Sequence, residues 1–250
     1  MLIVVPVDPP RDGLVLSSLV DRTPLSESAA TALYEGAVTD VLRAVDASGA
    51  DLLVNYRDAS TVPEEYAHGD PETAIRTVVD DALATTDDVR FERQVGSTHA
   101  ARVGNTVTHL LEQETLTSVG VLEPTVPLVA RTQIDGAAMS IRRHDVVLGP
   151  ASGGETYLAA FADPIDFIDA YDTPTLSTLA DRTVDAGHEL GFAPMLPTID
   201  SEAGLCATIA ALDARARADR PGGEATAAVV EEFGLTVGAD GMIDRAGQDR

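Results

Sequence analysis

Two carboxylates stand where an apolar run gives way to a turn. Ser118–Leu122 reads SVGVL and delivers Glu123-Pro124-Thr125, while LPTI runs into Asp200 just ahead of an apolar helical stretch. Acids at strand ends, on turns into helices, occupy the position where open α/β sheets hold ligands. Asp200 also has an ordinary reading: Asp200-Ser201-Glu202 opens the helix Ala203–Ala216 as a capping sequence would. Cap alone and cap plus ligand both stand at this point. The stretch GPASGGETYL (149–158) carries Ser152, Gly153, Gly154, Glu155 and Tyr157. A glycine pair there is ordinarily a turn, and a site using Ser152, Glu155 or Tyr157 is the alternative. Arg11 is the one cation in DPPRDGLVLSSL, flanked by Asp8 and Asp12, and Arg102 lies on a helical stretch where exposure is the default. Other chemistries fare worse. His99 and His109 are ten residues apart with no third ligand in view, which speaks against zinc. His144 has no partner to make it a base. Cys206 is the only cysteine, so it has no disulfide partner and reads as a buried, inert thiol.

The elements that must position these residues follow from apolar periodicity. Leu2–Val5 and Leu52–Asn55 read as strands, with a helix over Ser26–Val45 between them that Ser26 caps. Strand, helix and strand within about fifty residues form a right-handed parallel βαβ unit. Helices are expected over Glu72–Leu83, Thr98–Leu111, Pro127–Met139, Thr175–Ala186 and Glu224–Phe233. Strands are expected at Val89–Gln94, Ser118–Leu122, Val146–Leu148, TYLAAF (156–161) and Phe192–Leu196, and in a further strand closed by Asp200. The fold class is therefore α/β with a mainly parallel central sheet. Arg220-Pro221-Gly222-Gly223 punctuates the chain, dividing a domain over 1–219 from a helix and tail over 220–250. That last segment packs on the domain or on a dimer partner, and its end reads as a β-arm running into disorder.

Charge narrows the function. The balance is 17 − 41 = −24, with no lysine in the chain. The acids are spread along the sequence, as in a solvated coat suited to concentrated salt, where screening acts over ~3 Å at 1 M; the chain reads as an acidic, halophilic protein. An acidic surface for a basic partner is the competing reading. The charge balance speaks against a broad basic face for nucleic acid. No apolar run approaches the ~18 residues of a membrane span, and MLIVVPVD lacks the basic region of a signal peptide. The expectation is a cytoplasmic protein that engages neither membrane nor nucleic acid.

The order GPA…GG…YL, then DTPTLSTLADRT, then LPTID before a helix resembles the GT-A-like "glycosyltransferase A" proteins. These are relatives of the nucleotide-diphospho-sugar transferases and of 2-phospholactate guanylyltransferase, and the resemblance spans roughly Met1 to Leu212. It implies a three-layer sandwich, a nucleoside triphosphate or nucleotide sugar as donor, and Mg or Mn as cofactor. In such relatives the loop after the first strand grips phosphates. Here Arg11 and Gly13 stand in that loop, but Leu14, Leu16 and Ser18 occupy usually basic places. The family ends its central strand in Gly-x-Asp-x-Pro-Asp, whose aspartates hold the cation. Leu122 and Thr125 fall on those positions, leaving Glu123 one residue out of register. In the family's Gly-Pro-Ala-x-Asp-Gly-Gly-Tyr-Tyr-Leu, Gly153 falls on the aspartate and Glu155 on the second glycine, while Tyr157 is retained. The closing Asp-x-Asp becomes Thr198 and Asp200.

By this resemblance Asp200 and Glu123 would hold the metal, and Arg11, Gly13 and Arg102 the nucleotide phosphates. Gly153, Gly154, Glu155 and Tyr157 would meet the acceptor. Two functions follow. One is a nucleotidyl- or glycosyltransferase with a degenerate site. The other is a catalytically inactive GT-A-fold protein that binds a nucleotide or a protein.

Overall fold

Leu2–Val7 (β1) is buried at every position, and the sheet is built outward from it. The computed structural model describes residues 1–245. Asp51–Tyr56 (β2) pairs with β1 in parallel, Leu2 opposite Asp51, and Arg90–Arg93 (β3) pairs with β2. On the other side of β1 lies Val119–Leu122 (β4), also parallel, with Leu2 opposite Val119. Val146–Pro150 (β5), Thr156–Phe161 (β6) and Leu190–Phe192 (β7) complete a seven-stranded sheet ordered β3-β2-β1-β4-β6-β5-β7. Only β6 runs against its neighbours. The fold is α/β with a mostly parallel sheet. β1, β4 and β6 are buried throughout and read as continuous apolar runs because helices cover both faces.

Ser17–Val20 (α1) is a single turn. One face of the sheet is covered by Glu27–Ser48 (α2), Pro71–Ala82 (α3) and Arg131–Ser140 (α5), around Val5, Val54 and Leu122. His99–Thr108 (α4) and Thr175–Asp185 (α6) cover the other, around Val4, Val121 and Phe161. Local chemistry sets the helix starts. The Ser26 hydroxyl accepts from the Ala29 N–H, and the Asp70 carboxylate from the Glu72 N–H just before Pro71. Glu202–Arg217 (α7) and Glu224–Glu232 (α8) add a third cluster with α2, in which Leu33, Ile199, Leu205 and Ile209 meet.

Three sequence expectations are corrected: the strand at Phe192–Leu196, the strand closed by Asp200 and the helix start at Pro127. The strand at Phe192–Leu196 lies earlier, at Leu190–Phe192, and residues 193–199 form no strand; Pro194 and Pro197 lack the N–H a ladder needs. The helix placed at Pro127 begins at Arg131, because Val126, Leu128 and Val129 are spent filling the core in a connecting turn. The tail forms a hairpin of Leu235–Val237 (β8) and Ile243–Arg245 (β9), whose Leu235 and Ile243 are buried. The disorder expected at the end falls on residues 246–250, outside the described residues.

The segment after Arg220 is fastened to α2 by one buried carboxylate. Asp40 accepts from the Ala225 N–H at 3.0 Å, the Thr226 N–H at 2.8 Å and the Thr226 hydroxyl at 2.7 Å. It thus satisfies donors at the start of α8 that no helix can satisfy itself. Burial raises its pKa, and those three hydrogen bonds work against the rise. Gly36 lets the backbones close, since a Cβ there would lie 3.1 Å from the Ala225 carbonyl oxygen. Asp40→Ala leaves the donors buried and unpaired, so urea denaturation should show a loss of about 2–4 kcal/mol. An unchanged midpoint would mean that α8 is held by its apolar contacts alone.

Candidate functional site

The chain runs from β1 outward to β2 and β3, then returns to the other side of β1 to form β4. That reversal between β1 and β4 is a topological switch point, where a crevice opens beyond the carboxyl ends of the strands. Register sets what faces it. Val4 lies opposite Val121, so Glu123 emerges close to the end of β1 and Asp8. The ladder stops at Leu122, and the Glu123 N–H donates to the Tyr157 carbonyl at 2.8 Å before Pro124 turns the chain away. The acid that looked one residue out of register lines the cleft.

Asp200 reaches the same cleft from the far end of the sequence. The Ile199 N–H donates to the Thr125 carbonyl at 2.8 Å, and the Thr125 hydroxyl to the Asp200 carboxylate at 2.9 Å. Asp200 is not the cap of α7. Ser201 is: its hydroxyl accepts from the Gly204 N–H at 3.2 Å. At Gly204 any Cβ would collide with the Thr198 carbonyl oxygen. Glycine thus allows the first turn of α7 to fold back onto residues 198–201.

The cleft encloses about 190 Å³ and is lined by Asp8, Leu14, Val15, Leu16, Tyr34, Gln94, His99, Arg102, Glu123, Thr125 and Asp200. Asp200 is exposed as a residue, but it sits in a concavity, and the protein walls withdraw water from its charged form. Its pKa is raised to about 6, first by that desolvation and then by Glu123 and Glu155; the Thr125 hydroxyl, and Thr198 beside it, pull the other way. Tyr34 accepts the Asp8 N–H at 2.9 Å, which leaves its own proton free to be donated. Burial holds the phenol neutral far above its usual range, and Asp8, Glu123 and Asp200 reinforce this.

Of the residues singled out from sequence, Asp200, Glu123 and Arg102 meet in this cleft, and Glu155 is near enough to act on Asp200 through its charge. Glu123 faces His99 at 3.6 Å, and Glu155 accepts from the Thr175 hydroxyl. Arg11 and Gly13 are not part of the lining. Arg11 lies beside Gly69, and Gly13 against the Tyr66 hydroxyl. Leu14 and Leu16 pack on the core and Val15 is buried, so the first loop is an apolar wall. It is tied to Asp200 by the Ser18 hydroxyl, which donates to the Asp200 carbonyl at 3.1 Å. Gly153 and Gly154 adopt left-handed conformations, φ 74° and 83°, in the turn between β5 and β6. Tyr157 is fully buried and donates to the Pro194 carbonyl at 2.9 Å, which leaves it a packing role. The cleft residues that sequence reasoning missed are Tyr34, His99 and Asp8. Asp8 carried a signal, since it follows the buried run of β1 directly.

No protein-family model matches the chain, and no curated protein matches it. Solved structures do. A candidate nucleotide-diphospho-sugar transferase from Desulfovibrio desulfuricans G20 superposes with a TM-score of 0.72 at 19% identity, over 92% of this chain and 94% of that one. The chain has the nucleotide-diphospho-sugar transferase fold. A cytidylyltransferase from Leptospira borgpetersenii serovar Hardjo-bovis superposes more loosely, with a TM-score of 0.52 at 8% identity over 92% of this chain and 94% of that chain. At these identities the fold is what is shared. No helix of the described residues is long and apolar enough to cross a membrane.

The Asp200 shift fixes the sign of a pH effect. With a folded pKa near 6 above an unfolded value of about 3.9, the folded state binds more protons across that window. Stability therefore falls as pH rises from about 4 to about 6, and stays lowered above it. Asp200→Asn removes the charge, so its melting temperature should exceed that of the parent at pH 8, with the gap closing towards pH 4. A gap that does not vary with pH would contradict this.

Proposed function

We propose that this chain is a nucleotidyl- or glycosyltransferase that takes a nucleoside triphosphate or nucleotide sugar, with a divalent cation, into the cleft between β1 and β4. The observation that carries the proposal is Asp200. It is relieved of capping by Ser201, oriented by Thr125, and placed at the switch point opposite Glu123.

A hard divalent cation, Mg or Mn, suits this donor set as a companion of substrate phosphates. Such ions are commonly held by one or two carboxylates, with phosphates and water completing the shell. Asp200 offers one carboxylate and Glu123 a second. Among the described residues no three His, Cys, Asp or Glu side chains form a group that could hold the ion by themselves. When bound, the cation would neutralise charge that develops on the leaving diphosphate.

The chain's own residues do the rest by placement. Leu14, Val15 and Leu16 offer an apolar wall for a base or sugar face, and the Tyr34 hydroxyl a neutral donor. The Arg102 guanidinium, its Nε–H held by Gln94 at 2.7 Å, presents its outer nitrogens without further ordering cost. No protein nucleophile is required for in-line transfer from a phosphate. A second reading has an observation of its own. Glu123 is turned to His99 and the first loop has lost its cations to Leu14 and Leu16, which favours a non-catalytic nucleotide- or protein-binding member of the fold.

Calorimetric titration of GTP, CTP and UDP-glucose in molar KCl, with and without Mg²⁺ or Mn²⁺, separates the two. The transferase reading expects metal-dependent binding of one donor, weakened in Asp200→Ala by about tenfold or more, the scale on which even outer-shell partners of a metal act. Folded protein that binds none of the three would hand the case to the non-catalytic reading.

A further inference from the structure

In a chain with 17 basic and 41 acidic side chains, Arg102 lines this cleft, and Arg57 stands behind the Asp8 carboxylate that lines it too. Arg57 follows β2 directly, and its N–H donates to the Val7 carbonyl at 3.2 Å, carrying the pairing with β1 one step beyond β2. Its side chain is only 14% exposed. One Nη contacts the Asp8 carboxylate at 3.3 Å, the other donates to the Thr61 carbonyl, and its Nε–H is buried without a partner. Arg102, on α4, donates through Nε to Gln94 at 2.7 Å, and the buried Gln94 donates in turn to the Asn55 carbonyl at 2.7 Å. Arg102 is half-buried, and its pKa is lowered first by desolvation and then by the charge of Arg57. Asp8 contacts Arg57, and its charge also acts on Arg102. Asp58, the next residue after Arg57, is turned to Arg93 at 3.4 Å, while Glu123 and Asp200 also line the cleft that Arg102 enters.

Two guanidinium groups near enough for the charge of one to act on the other, partly dehydrated and with a buried N–H left unmatched, cost the folded protein stability. Their own hydrogen bonds do not account for the arrangement. A multiply charged anion between them would. Planar forks match phosphate oxygens two at a time, and a diphosphate carries enough charge to engage both.

We propose that Arg57 and Arg102 form an anion subsite that binds the diphosphate group of the substrate, replacing the cations missing from the loop after β1. The proposal rests on the transferase reading of the cleft and adds to it a second cationic residue and the polarity of binding. The phosphates lie towards β2 and α4, between Arg102 and the carboxylates of Asp200 and Glu123. In the absence of substrate, Asp8 neutralises Arg57 through a single contact, which the diphosphate displaces.

The test is a calorimetric titration of inorganic pyrophosphate with a chelator present, so that no cation contributes, repeated with the nucleotide that binds best. Arg57→Ala and Arg102→Ala should each weaken pyrophosphate about tenfold, the equivalent of one charged hydrogen bond. Arg57→Lys, which keeps the charge and most of the packing, should lose less and covers the case in which Arg57→Ala does not fold. Asp200→Ala should bind pyrophosphate at least as well as the parent, since it removes a like charge. Equal binding by the parent and the arginine variants, or no metal-free binding by the folded parent, overturns the subsite. Metal-dependent nucleotide binding that survives both arginine variants also overturns it, and leaves the transferase reading standing. Pyrophosphate binding that is lost in the arginine variants, with no dependence of nucleotide binding on metal or Asp200, supports the subsite and removes the transferase reading instead.

Discussion

The cleft depends on one close approach. At Gly204 the first turn of α7 folds back against the carbonyl of Thr198, in a space that no side chain could share. The turn places Ser201 at the cap and leaves Asp200 just outside the helix, beside the hydroxyl of Thr125. Ile199 seals the arrangement by pairing with the Thr125 backbone and burying its side chain among Leu33, Leu205 and Ile209. An ordinary hydrophobic cluster thus holds a carboxylate at the end of a strand from a distant part of the chain.

Electrostatics then decides what the cleft can accept. Asp8, Glu123 and Asp200 share one concavity in a protein of net charge −24, and the pKa of Asp200 is lifted there first by desolvation and then by the charges of Glu123 and Glu155. A phosphate cannot enter such a place on apolar contacts alone. It needs cations that travel with it or cations already in place; Arg102 is on the wall, and Arg57 stands behind Asp8. In concentrated salt, screening over ~3 Å would soften the mutual repulsion of the surface acids much more than contacts inside the cleft. The acidic coat and the cleft can therefore be tuned separately.

Much of the framework was legible in the sequence. The apolar runs of β1, β2, β4 and β6, and the helix starts at Ser26 and Thr98, rest on local periodicity and local capping, which a chain displays without folding. The resemblance read from GPA…GG…YL and LPTID pointed to the fold that the superposition found. The misplacements have local causes too. Pro194 and Pro197 break what looked like a strand, and Val126–Val129 is apolar because it fills the core ahead of the helix.

By itself, then, the sequence determined the α/β class, the parallel sheet and the presence of acids at strand ends, because these follow from patterns a few residues long. Tertiary structure decided which of those residues act together. Thr125 and Asp200 are 75 positions apart, Asp40 and Thr226 are 186, and Arg57 meets Asp8 across 49. Nothing in the spacing of such pairs marks them as partners. It is the stacking of α2, α7 and α8, and the order of strands around β1, that brings them within a hydrogen bond of each other.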